Sequence, residues 1–189
     1  LYAIRLGGKG DVTETHVAWK MKKGAPLNPS PIFLDNELYV VSDKGIATCM
    51  NAETGEEIWQ ERIGGNFSAS PLLADGRVLI VGGDHTGATQ RLAEVFDPGT
   101  GTLSPTSTKM LSRRGDHTAT LLPGGKVLLT GGRIRVSYKE DHIFYDEEED
   151  KDPLDIAERG KSVLNTAELY DPMTGAFSFA GQMVEGRAD

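Results

Sequence analysis

Few residues in this sequence are of types that suggest chemistry. His85 and His117 carry imidazoles that ligate copper or zinc, but such a site needs at least one further ligand, so no metal centre is assigned. Arg113 and Arg114 form an adjacent pair of guanidinium groups, read first as rim or inter-blade partners and second as a site for an anionic ligand. The single cysteine, Cys49, excludes an internal disulfide and lies in an apolar run, where an inert buried thiol is expected. Residues 138–153 are crowded with carboxylates around His142, Ile143, Phe144 and Tyr145. Such a run reads first as a solvated acidic loop, because like charges repel and extend the chain. It reads second as a docking loop with Ile143, Phe144 and Tyr145 as apolar anchors. Calcium comes last, since the ordered Asp-x-Asp-x-Asp-Gly spacing of a cage is missing. No catalytic residue is assigned.

These side chains hang on a repeated hairpin. Ala93-Glu94-Val95-Phe96-Asp97-Pro98-Gly99-Thr100-Gly101 returns as Ala167-Glu168-Leu169-Tyr170-Asp171-Pro172-Met173-Thr174-Gly175. A looser copy is Ala47-Thr48-Cys49-Met50-Asn51-Ala52-Glu53-Thr54-Gly55. Asp97 and Asp171 close their runs and are read as turn residues whose side chains bond the backbone. Alternating apolar runs predict strands over 31–34, 37–41, 46–50 and 57–60, then over 70–73, 77–83, 92–96 and from 103. A third set covers 117–122, 127–132, 166–170 and 177–182. The separators Asp35-Asn36, Asp75-Gly76 and Gly124-Gly125 are hairpin turns that favour positive φ. They recur at about 40 and then about 49 residues, with four strands per unit. That period predicts an all-β chain built as part of a β-propeller: about three four-stranded blades and half of another. No stretch carries a helical stripe long enough to compete.

The 189 residues are enough for one sizeable domain. A formal charge of −8 argues against nucleic acid, which needs clustered Lys and Arg. No apolar run reaches the roughly 18 residues of a membrane-spanning helix.

Two propeller families are visible by resemblance. Residues 1–76 resemble quinoprotein-like (PQQ-like) repeats, through Ser42-Asp43-Lys44-Gly45 and Asn51-Ala52-Glu53-Thr54-Gly55-Glu56-Glu57-Ile58-Trp59. That resemblance implies that Trp59, and with it Trp19, wedges between neighbouring blades. Residues 77–189 resemble kelch repeats of the galactose-oxidase-related type. The match is carried by Gly82-Gly83 and Gly131-Gly132 closing second strands, and by the Glu94 to Pro98 and Glu168 to Pro172 copies. His117 opens a first strand as in kelch repeats, which implies a structural hydrogen-bonding role. Galactose-oxidase-like chemistry would need a cysteine linked to a ligand tyrosine, whereas Cys49 lies in the other half. The whole chain is thus expected to be one propeller segment, with residues 133–165 an inserted acidic loop.

Call the innermost strand of a blade A and the outermost D. Residues 1–6 and 16–20 then read as strands C and D of a blade, and 186–189 as the approach to another strand A, so a fragment of a longer propeller is expected. The A–B and C–D turns share one rim and the B–C and D–A connections the other. The second rim gathers Asn66, Phe67, His85, Arg113, Arg114, His142, Phe144 and Tyr145, and long loops on a rigid scaffold are where recognition usually sits. The expected function is a non-catalytic scaffold binding a protein or carbohydrate on that rim, with self-association through unclosed blade edges open. No cofactor is expected beyond the calcium reading. A periplasmic or extracellular location is implied by the resemblance alone. The alternative is a piece of a quinoprotein dehydrogenase-like or galactose-oxidase-like enzyme whose active site is completed elsewhere.

Overall fold

The structure is a computed structural model that describes residues 1–63, 70–85, 88–89, 91–134, 138–139, 142–143 and 163–188; for 84, 85, 88, 138, 139, 142 and 143 it describes the backbone alone. Among the described residues there is no helix, and every sheet is antiparallel. The chain divides into two compact units, Leu1–Ser70 and Pro71–Asp189.

In the first unit β1 (Tyr2–Ile4) pairs with β2 (Val17–Lys20). A four-stranded meander follows: β3 (Ile32–Leu34), β4 (Glu37–Val41), β5 (Ile46–Asn51) and β6 (Glu57–Arg62). Asp35 and Asn36 both take positive φ (48° and 66°), the two-residue turn whose twist matches the strands it joins. The central strands are buried, with Tyr39, Val40, Val41, Ala47, Cys49 and Met50 all inside, while β6 is a largely exposed edge. Asp43 ties down the proline-rich approach, its carboxylate accepting from the backbone N–H of Leu27 and Asn28.

The second unit holds two such meanders. The first is β7 (Leu72–Ala74), β8 (Arg77–Val81), β11 (Ala93–Asp97) and β12 (Thr102–Pro105); the second is β13 (Thr118–Leu121), β14 (Val127–Thr130), β17 (Thr166–Asp171) and β18 (Ala176–Gln182). Each B–C connection carries a small hairpin of its own: β9 (Asp84–His85) with β10 (Ala88–Thr89), and β15 (Tyr138–Lys139) with β16 (His142–Ile143). The two meanders stack face to face, as the alternation requires. Leu79, Val81 and Ala93 of one meet Val127, Leu129, Tyr170 and Phe177 of the other around Met110. Leu164 is fully buried, its backbone bonded to Gly132 and Arg187, so it belongs to the packed body although it falls within residues 133–165.

Three C–D turns share one geometry. Gly55, Gly101 and Gly175 donate to the carbonyls of Asn51, Asp97 and Asp171, four residues back, at 2.8–2.9 Å. The Asp97 and Asp171 carboxylates accept from Gly99 and Met173 N–H at 2.9 and 3.0 Å, as their turn role requires. Each also meets the cation that opens the adjacent B strand: Arg77 at 3.2 Å and Lys126 at 2.9 Å. The first glycine of each double glycine is needed for a close crossing. A Cβ on Gly82 would lie 2.6 Å from the Arg114 carbonyl oxygen, and one on Gly131 would overlap that of Arg187. Gly83 and Gly132 follow, both at positive φ. This all-β architecture of stacked four-stranded meanders is a partial β-propeller.

Candidate functional site

The D–A connection running from Leu111 to His117 is the most elaborately held segment of the described rim. Its backbone is gripped by one carboxylate: Glu168 Oε2 accepts from Leu111 N–H at 2.7 Å and Oε1 from Ser112 N–H at 2.9 Å. Arg114 Nη2 donates to the same Oε1 at 2.6 Å and to Thr166 Oγ1 at 3.2 Å. Its Nη1 donates to the carbonyls of Gly131 at 2.6 Å and Thr166 at 3.3 Å. Arg114 and Glu168 are both inaccessible to solvent. An ion pair this deep is tolerated because backbone and hydroxyl partners engage both guanidinium Nη groups and both carboxylate oxygens, leaving only the Arg114 Nε–H without a partner among the described residues.

His117 stands at the end of the segment, 6% exposed, its ring against Gly82 and its Cβ against Gly132. Among the described residues neither ring nitrogen has a hydrogen-bond partner, which corrects the structural hydrogen-bonding role expected for it. The residue fills a crevice between glycines instead. Burial, reinforced by the Arg114 guanidinium and opposed by Asp116, pushes its pKa down to about 4. The imidazole is neutral at pH 7.

The rim candidates fall into four groups. Arg114 is corrected: it is not a surface contact for a ligand but a buried strut. Arg113, its neighbour, is half-buried, and polar interactions already engage it. His85 and His142 lie on β9 and β16, so the backbone places both on the small B–C hairpins. Asn66, Phe67, Phe144 and Tyr145 lie outside the described residues, as does most of the acidic run. Among the described residues no three His, Cys, Asp or Glu side chains are grouped to hold a metal ion.

Trp19, expected as a wedge, packs across the turn of the next sheet. Its indole N–H donates to the Ala52 carbonyl at 2.9 Å, and its ring lies where a Cβ on Gly55 would stand, 2.6 Å away. In the second unit the same reach, from beyond a D strand to the next C–D turn, is made by hydroxyls. Ser107 N–H donates to the Gly175 carbonyl at 2.8 Å and Ser107 Oγ to Thr174's at 2.9 Å. Thr108 Oγ1 accepts from Phe177 N–H at 2.9 Å.

Glu168 is not among the residues that the sequence singles out for chemistry. The available signal was a carboxylate in the middle of an otherwise apolar strand, repeated at Glu94 in the preceding copy.

Comparison with known proteins agrees with this geometry. Residues 11–137 match the family described as outer membrane protein assembly factor BamB, a match that runs across position 76. BamB of Salmonella typhimurium is 36% identical over 72 residues, covering 36% of this chain and 18% of that protein. BamB of Escherichia coli K12 is 31% identical over 87 residues, covering 42% of this chain and 22% of that protein. The chain thus spans about a fifth of the length of these relatives. A solved structure titled "Structure of YjhT" superposes with a TM-score of 0.54 at 19% identity, over 88% of this chain and 54% of that one, a likeness of fold. With most of its length inside the matched region and its sheets built as propeller blades, the chain belongs to the BamB family.

Proposed function

We propose that this chain is a non-catalytic segment of a larger β-propeller that docks a protein partner through its B–C and D–A rim, in the periplasm, during outer-membrane protein assembly. Membership of the BamB family carries the reading. The architecture supports it: the rim segment is clamped by Glu168 and Arg114, and both B–C connections of the second unit carry a hairpin. Pre-ordered backbone beneath protruding loops lowers the ordering cost of association. Residues 77–189 are read as kelch-type units. The crossing of Gly82 by Arg114 and of Gly131 by Arg187, one repeat apart, favours that assignment.

The test is site-specific photo-crosslinking in living bacteria. A photoreactive amino acid at position 113 or 142 should capture a component of the outer-membrane assembly machinery, while the same group at Gln60 on the exposed edge of β6 should not. Equal capture from all three positions, or capture from position 60 alone, overturns the rim assignment.

A further inference from the structure

The second unit contains a cleft of about 400 Å³ where its two meanders splay apart, on the rim opposite the one proposed above for protein docking. One wall is the outer part of the first sheet, with Arg77, Asp97, Thr102 and Ser104; the other is formed by Tyr170 and the turn from Pro172 to Gly175. Register shows why it is open. In the first unit the residue paired with Cys49, two positions before the turn residue Asn51, is Trp59. At the corresponding place Val95, two positions before Asp97, pairs with Ser104. A hydroxymethyl group stands where the earlier repeat has an indole.

The lining identifies the occupant's chemistry. Arg77 and Asp97 neutralise one another at 3.2 Å, so the site offers both strong donors and strong acceptors but no net charge. The Ser104 hydroxyl donates or accepts, Thr102 Oγ1 shares a hydrogen bond with Thr100 Oγ1, and Thr106 Oγ1, its proton directed to the Ala93 and Thr108 carbonyls, still accepts. Tyr170 is 3% exposed and lines the cleft, yet its hydroxyl has no hydrogen-bond partner among the described residues. Met173, 81% exposed, supplies an apolar edge at the mouth. A charged ligand would have to break the ion pair, and an aromatic side chain would leave most of these polar groups unmatched. A neutral ring bearing several hydroxyls, with one apolar face, satisfies both. The volume lies in the range of small-ligand sites. We infer that this cleft is a binding site for a neutral saccharide.

Titration of the full-length ¹⁵N-labelled chain with N-acetylglucosamine, methyl β-glucoside and maltotriose, followed by amide chemical shifts, tests the assignment. Saturable shifts confined to residues 102–107 and 172–175 are expected with at least one of these sugars. Response to monosaccharide and trisaccharide alike would mark a free-sugar site, and response to maltotriose alone a glycan-chain site; either supports the inference. Ser104→Trp, which restores the missing wedge, should weaken that binding at least tenfold. Thr102→Val, a smaller change, should weaken it several-fold and serves if the first variant does not fold. Absence of shifts with all three sugars at 50 mM overturns the inference. So does a cleft response only to sodium glucuronate, or only to N-acetyltryptophanamide.

Discussion

Arg114 and Glu168 meet at 2.6 Å with neither side chain open to solvent, although 54 positions separate them in sequence. The pair joins three things: the approach to a first strand, the double glycine at Gly131, and the third strand of the same sheet. Removing one partner leaves a buried charge uncompensated, which costs about 3–5 kcal/mol. Arg114→Ala and Glu168→Ala should therefore each lower the unfolding free energy of the second unit by about that amount in urea titrations. Arg114→Met with Glu168→Leu should cost less than either alone, because no charge remains to be stranded. A loss below about 1 kcal/mol for both single variants would show that solvent reaches the pair.

His117 gives stability a dependence on pH. Its pKa is about 4 in the fold against 6.5 for an unperturbed imidazole, because burial, with the Arg114 guanidinium behind it, outweighs Asp116. Between these values the unfolded chain binds the extra proton, so stability falls as pH falls. The contribution is complete above pH 6.5 and is lost progressively down to about pH 4. It amounts to about 3 kcal/mol. His117→Leu should flatten this acid slope when urea midpoints are compared at pH 5 and pH 7.5. An unchanged slope would assign the acid sensitivity to other groups.

Much of this fold was legible in the sequence, because strands, turns and repeats are local. Asp97 and Asp171 behave as their position in the repeated hairpin indicates, and the runs read as strands pair in the expected order. What was hidden is non-local. Arg114 sits in a connection, so it read as a rim residue, yet its long side chain reaches inward to a carboxylate whose place in the alternating run points it at the same segment. His117 read as a hydrogen-bonding residue because imidazoles usually find partners; here the two flanking glycines leave room for a ring but offer it no acceptor. The cleft beside Ser104 was invisible for a different reason. A serine on an outer strand is unremarkable until the register of the neighbouring repeat shows which residue it replaces.

Trp19 and Gly55 form a lock whose halves depend on one another. The indole occupies the space above the glycine, and Gly55 holds a φ of +74°. Trp19→Ala removes a half-buried ring and one hydrogen bond, a loss of about 2–3 kcal/mol to the first unit. Gly55→Ala meets the ring at 2.6 Å and adds left-handed strain of about 1 kcal/mol. In the Trp19→Ala background only the strain remains, so the two losses should sum to more than that of the double variant. A double-mutant cycle giving no coupling would mean that the turn relaxes away from the ring.

Cys49 reports on the first unit alone. The thiol is fully buried, and desolvation together with the Glu37 carboxylate pushes its pKa up to about 12. Its hydrogen bond to Glu37 at 3.5 Å shares that carboxylate with the Tyr39 hydroxyl. At pH 8 the thiolate fraction is on the order of 10⁻⁴ even before access is considered, against roughly a quarter for a free cysteine. Native protein mixed with dithionitrobenzoate should therefore react only through opening of the first unit, at a rate that becomes independent of reagent once modification outpaces reclosing. Trp19→Ala should accelerate the reaction because it destabilises that unit. Arg114→Ala, whose damage lies in the second unit, should leave the labelling rate unchanged if the units open separately and raise it if they open together. Reaction of the unmutated protein within seconds, at the pace of free cysteine, would contradict the buried site.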